Sequence, residues 1–110
     1  PGATGFRPMA LLLVSLAACA ALDTVHILTK QREPLGPLTI EVEGRRVEGV
    51  PAPYEHIRIA FLAEGELSPE RLARAAELGV RKYCSVGETL RPDLVVDVVS
   101  EVRRARPGEP

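Results

Sequence analysis

The apolar run from Met9 to Leu22 constrains this chain more than any other feature. It is 14 residues long and is interrupted only by Ser15. A membrane span needs about 20 consecutive apolar residues, so the run is too short to cross a bilayer. Two interpretations remain: an export signal that ends at a lipidated Cys19, or a buried helix that carries the Cys19 thiol into a core.

The residues after Cys19 favour the buried helix. A lipidated cysteine should be followed by a polar tether, whereas Leu22, Val25 and Leu28 continue the apolar pattern. The pattern predicts one helix from about Pro8 to Glu33, with a proline in its first turn. Because its first half is apolar on nearly every side, it must be covered all round, as the central helix of the fold or of a dimer.

The remainder of the chain alternates between strand and helix patterns. Two segments with period-two alternation begin near Leu38 and Tyr54 and predict neighbouring antiparallel strands. Ser68 and Pro69 open a second helix, and a β-branched run from Asp93 predicts a last strand. The order predicts an α+β fold, with a long central helix and a second helix packed on a mainly antiparallel sheet.

A chain of 110 residues holds about one domain. We therefore predict a single domain over residues 1–110, with a disordered tail at 103–110. Three strands and a wholly apolar helix would leave sheet edges and apolar surface uncovered. The sequence therefore predicts a homodimer.

Composition argues against several partners. Fourteen Lys and Arg stand against 15 Asp and Glu, and aromatic residues make up 4% with no Trp. Such a chain has neither the basic excess nor the stacking platforms that nucleic acid or an anionic membrane would require. We predict no nucleic-acid partner, no membrane association and, in the absence of a credible export signal, a cytoplasmic location.

The two cysteines, Cys19 and Cys84, are 65 positions apart, and neither has a histidine close by. This spacing does not suit a zinc site, and we predict no metal or cofactor. From the spacing alone, the pair could be buried inert thiols, a structural disulfide or a reactive pair.

Three segments together carry a resemblance to a known family: "RPMALLLVSLAAC", "LSPERLARAAEL" and "KYCSVGETL". From about Gly5 to Val99 the chain resembles the osmotically inducible protein C (OsmC) and organic hydroperoxide resistance (Ohr) family. The resemblance implies an intertwined homodimer that reduces organic hydroperoxides. It also implies that Cys19 is the peroxidatic cysteine, that Cys84 is the resolving cysteine, and that an external dithiol restores them.

The start of the first helix differs from the family pattern. Met9 and Ala10 stand where family members have a glutamate that holds an activating arginine. That arginine normally comes from an N-terminal strand hairpin, which we expect this domain to lack, and Arg7 is a candidate substitute. An alternative therefore stays open: a catalytically weak or inactive dimer of the same fold that binds a small apolar ligand near Cys19.

Overall fold

The computed structural model of the protein describes residues 7–103. Its elements follow the predicted order, with one additional short helix. They are α1 (Pro8–Lys30), β1 (Leu35–Arg46), β2 (Tyr54–Gly65), α2 (Pro69–Arg81), α3 (Ser85–Thr89) and β3 (Val95–Arg103). The predicted α+β class is confirmed, since two long helices pack on a three-stranded sheet.

Helix α1 ends at Lys30, three residues before the predicted end at Glu33. Arg32 adopts a left-handed conformation with φ of 57°. Its N–H donates to the Thr29 carbonyl, and the Glu33 N–H donates to the Leu28 carbonyl. These two hydrogen bonds satisfy the last helical carbonyls, so the helix closes before Pro34 is reached.

The sheet has the order β1-β2-β3. Strands β1 and β2 are antiparallel, as predicted, whereas β2 and β3 are parallel. The sheet is therefore mixed. Helices α2 and α3 form the crossover that a parallel pair requires, because they carry the chain back to the end from which β2 started.

The core lies between one face of the sheet and the two long helices. Alternate residues of β2, including Ile57, Ile59 and Phe61, are fully buried on that face. They meet Leu16 and other buried residues of α1 and α2. The side chains at the intervening positions of β2, such as Arg58, lie on the opposite face of the sheet.

Helix α1 is not covered on all sides by residues 7–103, and its cover by a second copy, which its composition also allowed, stays a prediction. One side packs inward through Leu16, Ala17, Ala20, Thr24 and Leu28. Another side leaves an apolar stripe exposed, formed by Leu11, Val14, Leu22 and Val25. The exposed fraction reaches 75% at Leu22.

By length and composition alone, the 23-residue helix α1 would also pass as a membrane span. The length argument from the sequence counted only the uninterrupted run and missed this. Mostly buried core helices and signal sequences have the same length and composition, so one such helix is weak evidence for a membrane span, and α1 packs against both α2 and β1.

The predicted disordered tail overlaps the described residues only at Arg103, which is the last residue of β3. The rest of that tail and any N-terminal hairpin lie outside the described residues. The statements about them stay predictions.

Candidate functional site

Cys19 lies in the middle of α1, on the border between the buried side of the helix and the exposed stripe. It is partly buried, while Ala20 beside it is fully buried and Ala18 is exposed. The helix runs through Cys19 without interruption, as the apolar pattern predicted. The thiol is therefore held on a rigid element and still has access to the surface.

Cys84 follows the end of α2 and caps the short helix α3. Only 3% of its surface is exposed. Its Sγ accepts a hydrogen bond from the Gly87 N–H at 3.3 Å, and its thiol donates to the Leu16 carbonyl at 4.0 Å. The cap satisfies one of the backbone donors at the start of α3, so this local geometry fixes the position of the sulfur.

The structure brings the two sequence-predicted cysteines together. Both are free thiols. The pKa of Cys84 is raised, chiefly by burial and further by a side-chain interaction with Cys19 and by the charge that Cys19 carries when ionised. The hydrogen bond from the Gly87 N–H lowers this pKa and is second in size only to burial, and a hydrogen bond from the Val86 backbone lowers it by less than either effect of Cys19. Cys84 therefore keeps its proton to higher pH than an ordinary cysteine.

Sequence reasoning missed α3, because a single helical turn that contains a glycine leaves no periodic pattern. It also gave no sign that Leu16, one turn before Cys19, supplies the carbonyl that faces Cys84. The hydrogen bond from the Cys84 thiol to the Leu16 carbonyl therefore holds Cys84 beside the part of α1 that carries Cys19.

Asp23 lies one helical turn beyond Cys19 and is partly buried. Its Oδ2 is shielded from solvent and has no hydrogen-bond partner within residues 7–103. A buried carboxylate oxygen without a partner is costly. Asp23 follows Cys19 by four residues, and this spacing, which places the two side chains on the same side of a helix, can be read from the sequence.

The other candidates considered at the sequence level lie away from the thiols. Arg7 is the exposed N-cap residue of α1, about 18 Å from Cys19 along the helix axis at 1.5 Å per residue. Met9 contributes its backbone carbonyl, which accepts a hydrogen bond from the Tyr54 hydroxyl at 2.8 Å. Ala10 is exposed.

A surface cavity of about 350 Å³ adjoins the Cys84 side of the site. Leu16 and Gly87, which both contact the Cys84 sulfur, form part of its wall. Val80, Leu90 and Val96 add further apolar surface. A small apolar molecule could therefore reach the surroundings of the thiol pair from this side.

Within the part of the chain that the structure describes, no group of three or more His, Cys, Asp or Glu side chains could hold a metal ion. The expectation that the site uses no metal stays a prediction.

A family model described as OsmC-like protein matches residues 1–99, and the chain therefore belongs to the OsmC-like family. Protein YhfA from Escherichia coli (strain K12) is 35% identical over 80 residues. This match covers 72% of the present chain and 60% of YhfA, so the chain spans less than two thirds of that relative.

Solved structures show the same fold. A hypothetical protein from Aquifex aeolicus VF5 matches with a TM-score of 0.88 and 36% identity, over 96% of this chain and 80% of that one. An organic hydroperoxide resistance protein OsmC from Legionella pneumophila matches with a TM-score of 0.67 and 18% identity, over 92% and 73% of the two chains. The second similarity concerns the fold alone.

The raised pKa of Cys84 gives a first testable prediction. In Cys19→Ser the interaction with the Cys19 sulfur is lost while burial remains, so the pKa of Cys84 should fall towards the ordinary thiol range and stay above it. The measurement is the pH dependence of iodoacetamide labelling at Cys84, followed by peptide mass spectrometry in the parent and in Cys19→Ser. An identical pH midpoint in both proteins would contradict an interaction between the two sulfurs.

Proposed function

We propose that the protein reduces organic hydroperoxides by a two-cysteine mechanism, with Cys19 as the peroxidatic residue and Cys84 as the resolving residue. The observation that carries the proposal is that these two thiols meet at one site although 64 residues separate them in the chain. Membership of the OsmC-like family supports it, and so does the shared fold with a hydroperoxide resistance protein.

The two roles follow from the unequal environments of the thiols. Cys19 is partly exposed, so a substrate can approach its sulfur. Cys84 is buried and its pKa is raised, so it stays a neutral thiol near neutral pH. Because the thiolate is the attacking species in this chemistry, the exposed residue is the better nucleophile and the buried one is suited to act second.

In the first step, the Cys19 thiolate attacks the outer oxygen of the hydroperoxide ROOH. An S–O bond forms, the O–O bond breaks, and the alkoxide takes a proton and leaves as the alcohol ROH. Cys19 is then a sulfenic acid. Attack by Cys84 on this sulfur forms the disulfide and releases water, with the proton of the Cys84 thiol completing the water molecule.

An external dithiol reduces the disulfide and returns both residues to thiols. The proposal thus needs no metal or organic cofactor, because the dithiol supplies the two electrons and two protons that convert the hydroperoxide into the alcohol and water. We place the reaction in the cytoplasm, because the thiol pools of that compartment keep cysteines reduced between turnovers.

Alkyl hydroperoxides are the substrate class that the surroundings of the site favour. The cavity beside Cys84 has leucine and valine side chains in its wall, together with the charged residues Arg81, Glu88 and Arg91. Burial of an alkyl group there gains about 0.8 kcal/mol per methylene, which hydrogen peroxide cannot gain.

We also propose that the protein is a homodimer, formed across the exposed stripe of α1. Leu11, Val14, Leu22 and Val25 follow one another at spacings of three, eight and three residues, which place their side chains on one side of a helix. A second copy would supply the apolar cover for this stripe.

One observation favours the alternative of a weak or inactive dimer that binds a small apolar ligand. The first turn of α1 holds no acidic side chain, so it contains no carboxylate that could orient an activating cation. Cys19 would then lack the electrostatic help that a fast peroxidatic cysteine receives.

Peroxide consumption separates the two functions. With cumene hydroperoxide and reduced lipoamide, the parent protein should consume peroxide continuously. Cys19→Ser should fall to the rate of the dithiol alone, because the nucleophile is missing. Cys84→Ser should consume about one equivalent in forming the sulfenic acid and about one more as Cys19 over-oxidises to the sulfinic acid, and then stop, since no second cysteine resolves the sulfenic acid. Equal background rates in the parent and Cys19→Ser would instead identify the ligand-binding alternative.

The dimer can be tested by sedimentation. Leu22→Glu places a charge in the middle of the exposed stripe and should yield monomers, because burial of an unpaired carboxylate is unfavourable. Val99→Glu introduces the same charge at an exposed position of β3 and should leave the dimer intact. A parent protein that sediments as a monomer, or dissociation by both substitutions alike, would contradict an interface on α1.

A further inference from the structure

Two further cavities adjoin each other at Arg91, on the loop between α3 and β3. The inner cavity has a volume of about 240 Å³, and the outer one about 490 Å³. They share Met9, Pro53 and Arg91 as wall residues, so they form one continuous groove. Neither cysteine lines it.

The inner cavity is apolar over most of its wall. Leu12 of α1, Ile57 of β2, and Leu90 and Leu94 on either side of the loop contribute side chains. Its volume equals that of roughly eight water molecules at about 30 Å³ each, which suits a saturated chain of about six to eight carbons. An apolar chain that enters this space gains free energy by leaving water.

Among residues 7–103, the charged residues that line the groove are all positive. Arg91 is the charged residue of the inner cavity and Arg46 joins it in the outer cavity, and none of the described wall residues is acidic. Arg46 has its Nε bound to the Ala52 carbonyl at 2.7 Å. The Nε of Arg91 lies 3.7 Å from Asp93, and the side chain of Asp93 is 80% exposed, so this ion pair is long and screened by water.

We infer that the groove is a binding site for a medium-chain monocarboxylate, with its alkyl chain in the inner cavity and its carboxylate on Arg91. A planar guanidinium can hold a carboxylate through two parallel hydrogen bonds. An uncharged molecule with the same alkyl chain could fill the inner cavity but would gain nothing from Arg91. A short-chain acid could bind Arg91 but would not fill the inner cavity.

The proposed binding is a different activity from the proposed reduction of peroxides, because the ligand carries no hydroperoxide and neither cysteine lines the groove. The inner cavity borders the cavity beside Cys84 and shares Leu90, Arg91 and Leu94 with it, but Glu88 and the two residues that contact the Cys84 sulfur line only the latter. The binding measurement below involves no redox reaction, so it can fail or succeed whatever the outcome of the peroxide assay.

The test is calorimetric titration of the full protein with octanoate, octanol and butyrate. Octanoate should bind saturably at one site per chain. Octanol, which lacks the charge, and butyrate, which lacks most of the chain, should each bind at least about tenfold more weakly. Absence of saturable octanoate binding, or equal affinity for octanoate and octanol, would overturn the inference.

Two charge-matched variants locate the site. Arg91→Gln should weaken octanoate binding by about tenfold, because it removes the carboxylate contact at an exposed position that the fold does not need. Arg74→Gln makes the same change on the exposed side of α2, away from the groove, and should bind as the parent does. Equal weakening in both variants would mean that octanoate responds to net charge alone, and the assignment to this groove would be wrong.

Discussion

Helices α1 and α2 approach closely because small residues occupy their contact, and the position of the candidate site depends on this approach. A Cβ on Gly79 would lie 2.5 Å from the Thr24 Oγ1 and 3.0 Å from the Ala20 carbonyl. Thr24 stays compact there, because its hydroxyl donates to the Ala20 carbonyl at 2.8 Å within its own helix. Nothing larger than glycine fits at this point without displacing one of the helices.

The close contact has a direct consequence for the thiols. Gly79 precedes Cys84 by five residues, and Ala20 follows Cys19 directly. When the two helices meet at Gly79 and Ala20, the end of α2 is held beside the middle of α1, and the next turn of chain brings Cys84 to the Leu16 carbonyl. The packing of the helices therefore sets the separation of the two sulfurs, and it leaves one of them buried and the other accessible.

Much of this arrangement could be predicted from the sequence. The apolar run with Pro8 at its start predicted α1, the alternation around Ile57 predicted β2, and the motifs around the two cysteines indicated the family. The parallel pairing of β3 could not be read from periodicity, because parallel and antiparallel strands alternate alike. The left-handed residue that ends α1 is an arginine rather than the glycine that usually marks such a position, so the predicted helix was too long.

The uncovered side of α1 shows a further limit of sequence reasoning. Composition predicted that so apolar a helix needs cover, but it could not say whether the same chain provides it. In the structure, residues 7–103 cover one side of α1, and they leave Leu22 exposed and the Asp23 oxygen without a partner. Cys19 lies between the covered and the uncovered side of α1. The proposed reaction site is therefore next to the proposed dimer interface.

The central claim is that Cys19 and Cys84 form one redox site, and peptide mass spectrometry after a single oxidation tests it most directly. The reduced protein is treated with one equivalent of cumene hydroperoxide, blocked with an alkylating agent and digested without reduction. We expect a disulfide-linked peptide pair that contains Cys19 and Cys84, and in Cys84→Ser an oxidised Cys19 in its place. Two alkylated thiols in the parent after the peroxide has been consumed, or oxidation of Cys84 alone, would contradict the account.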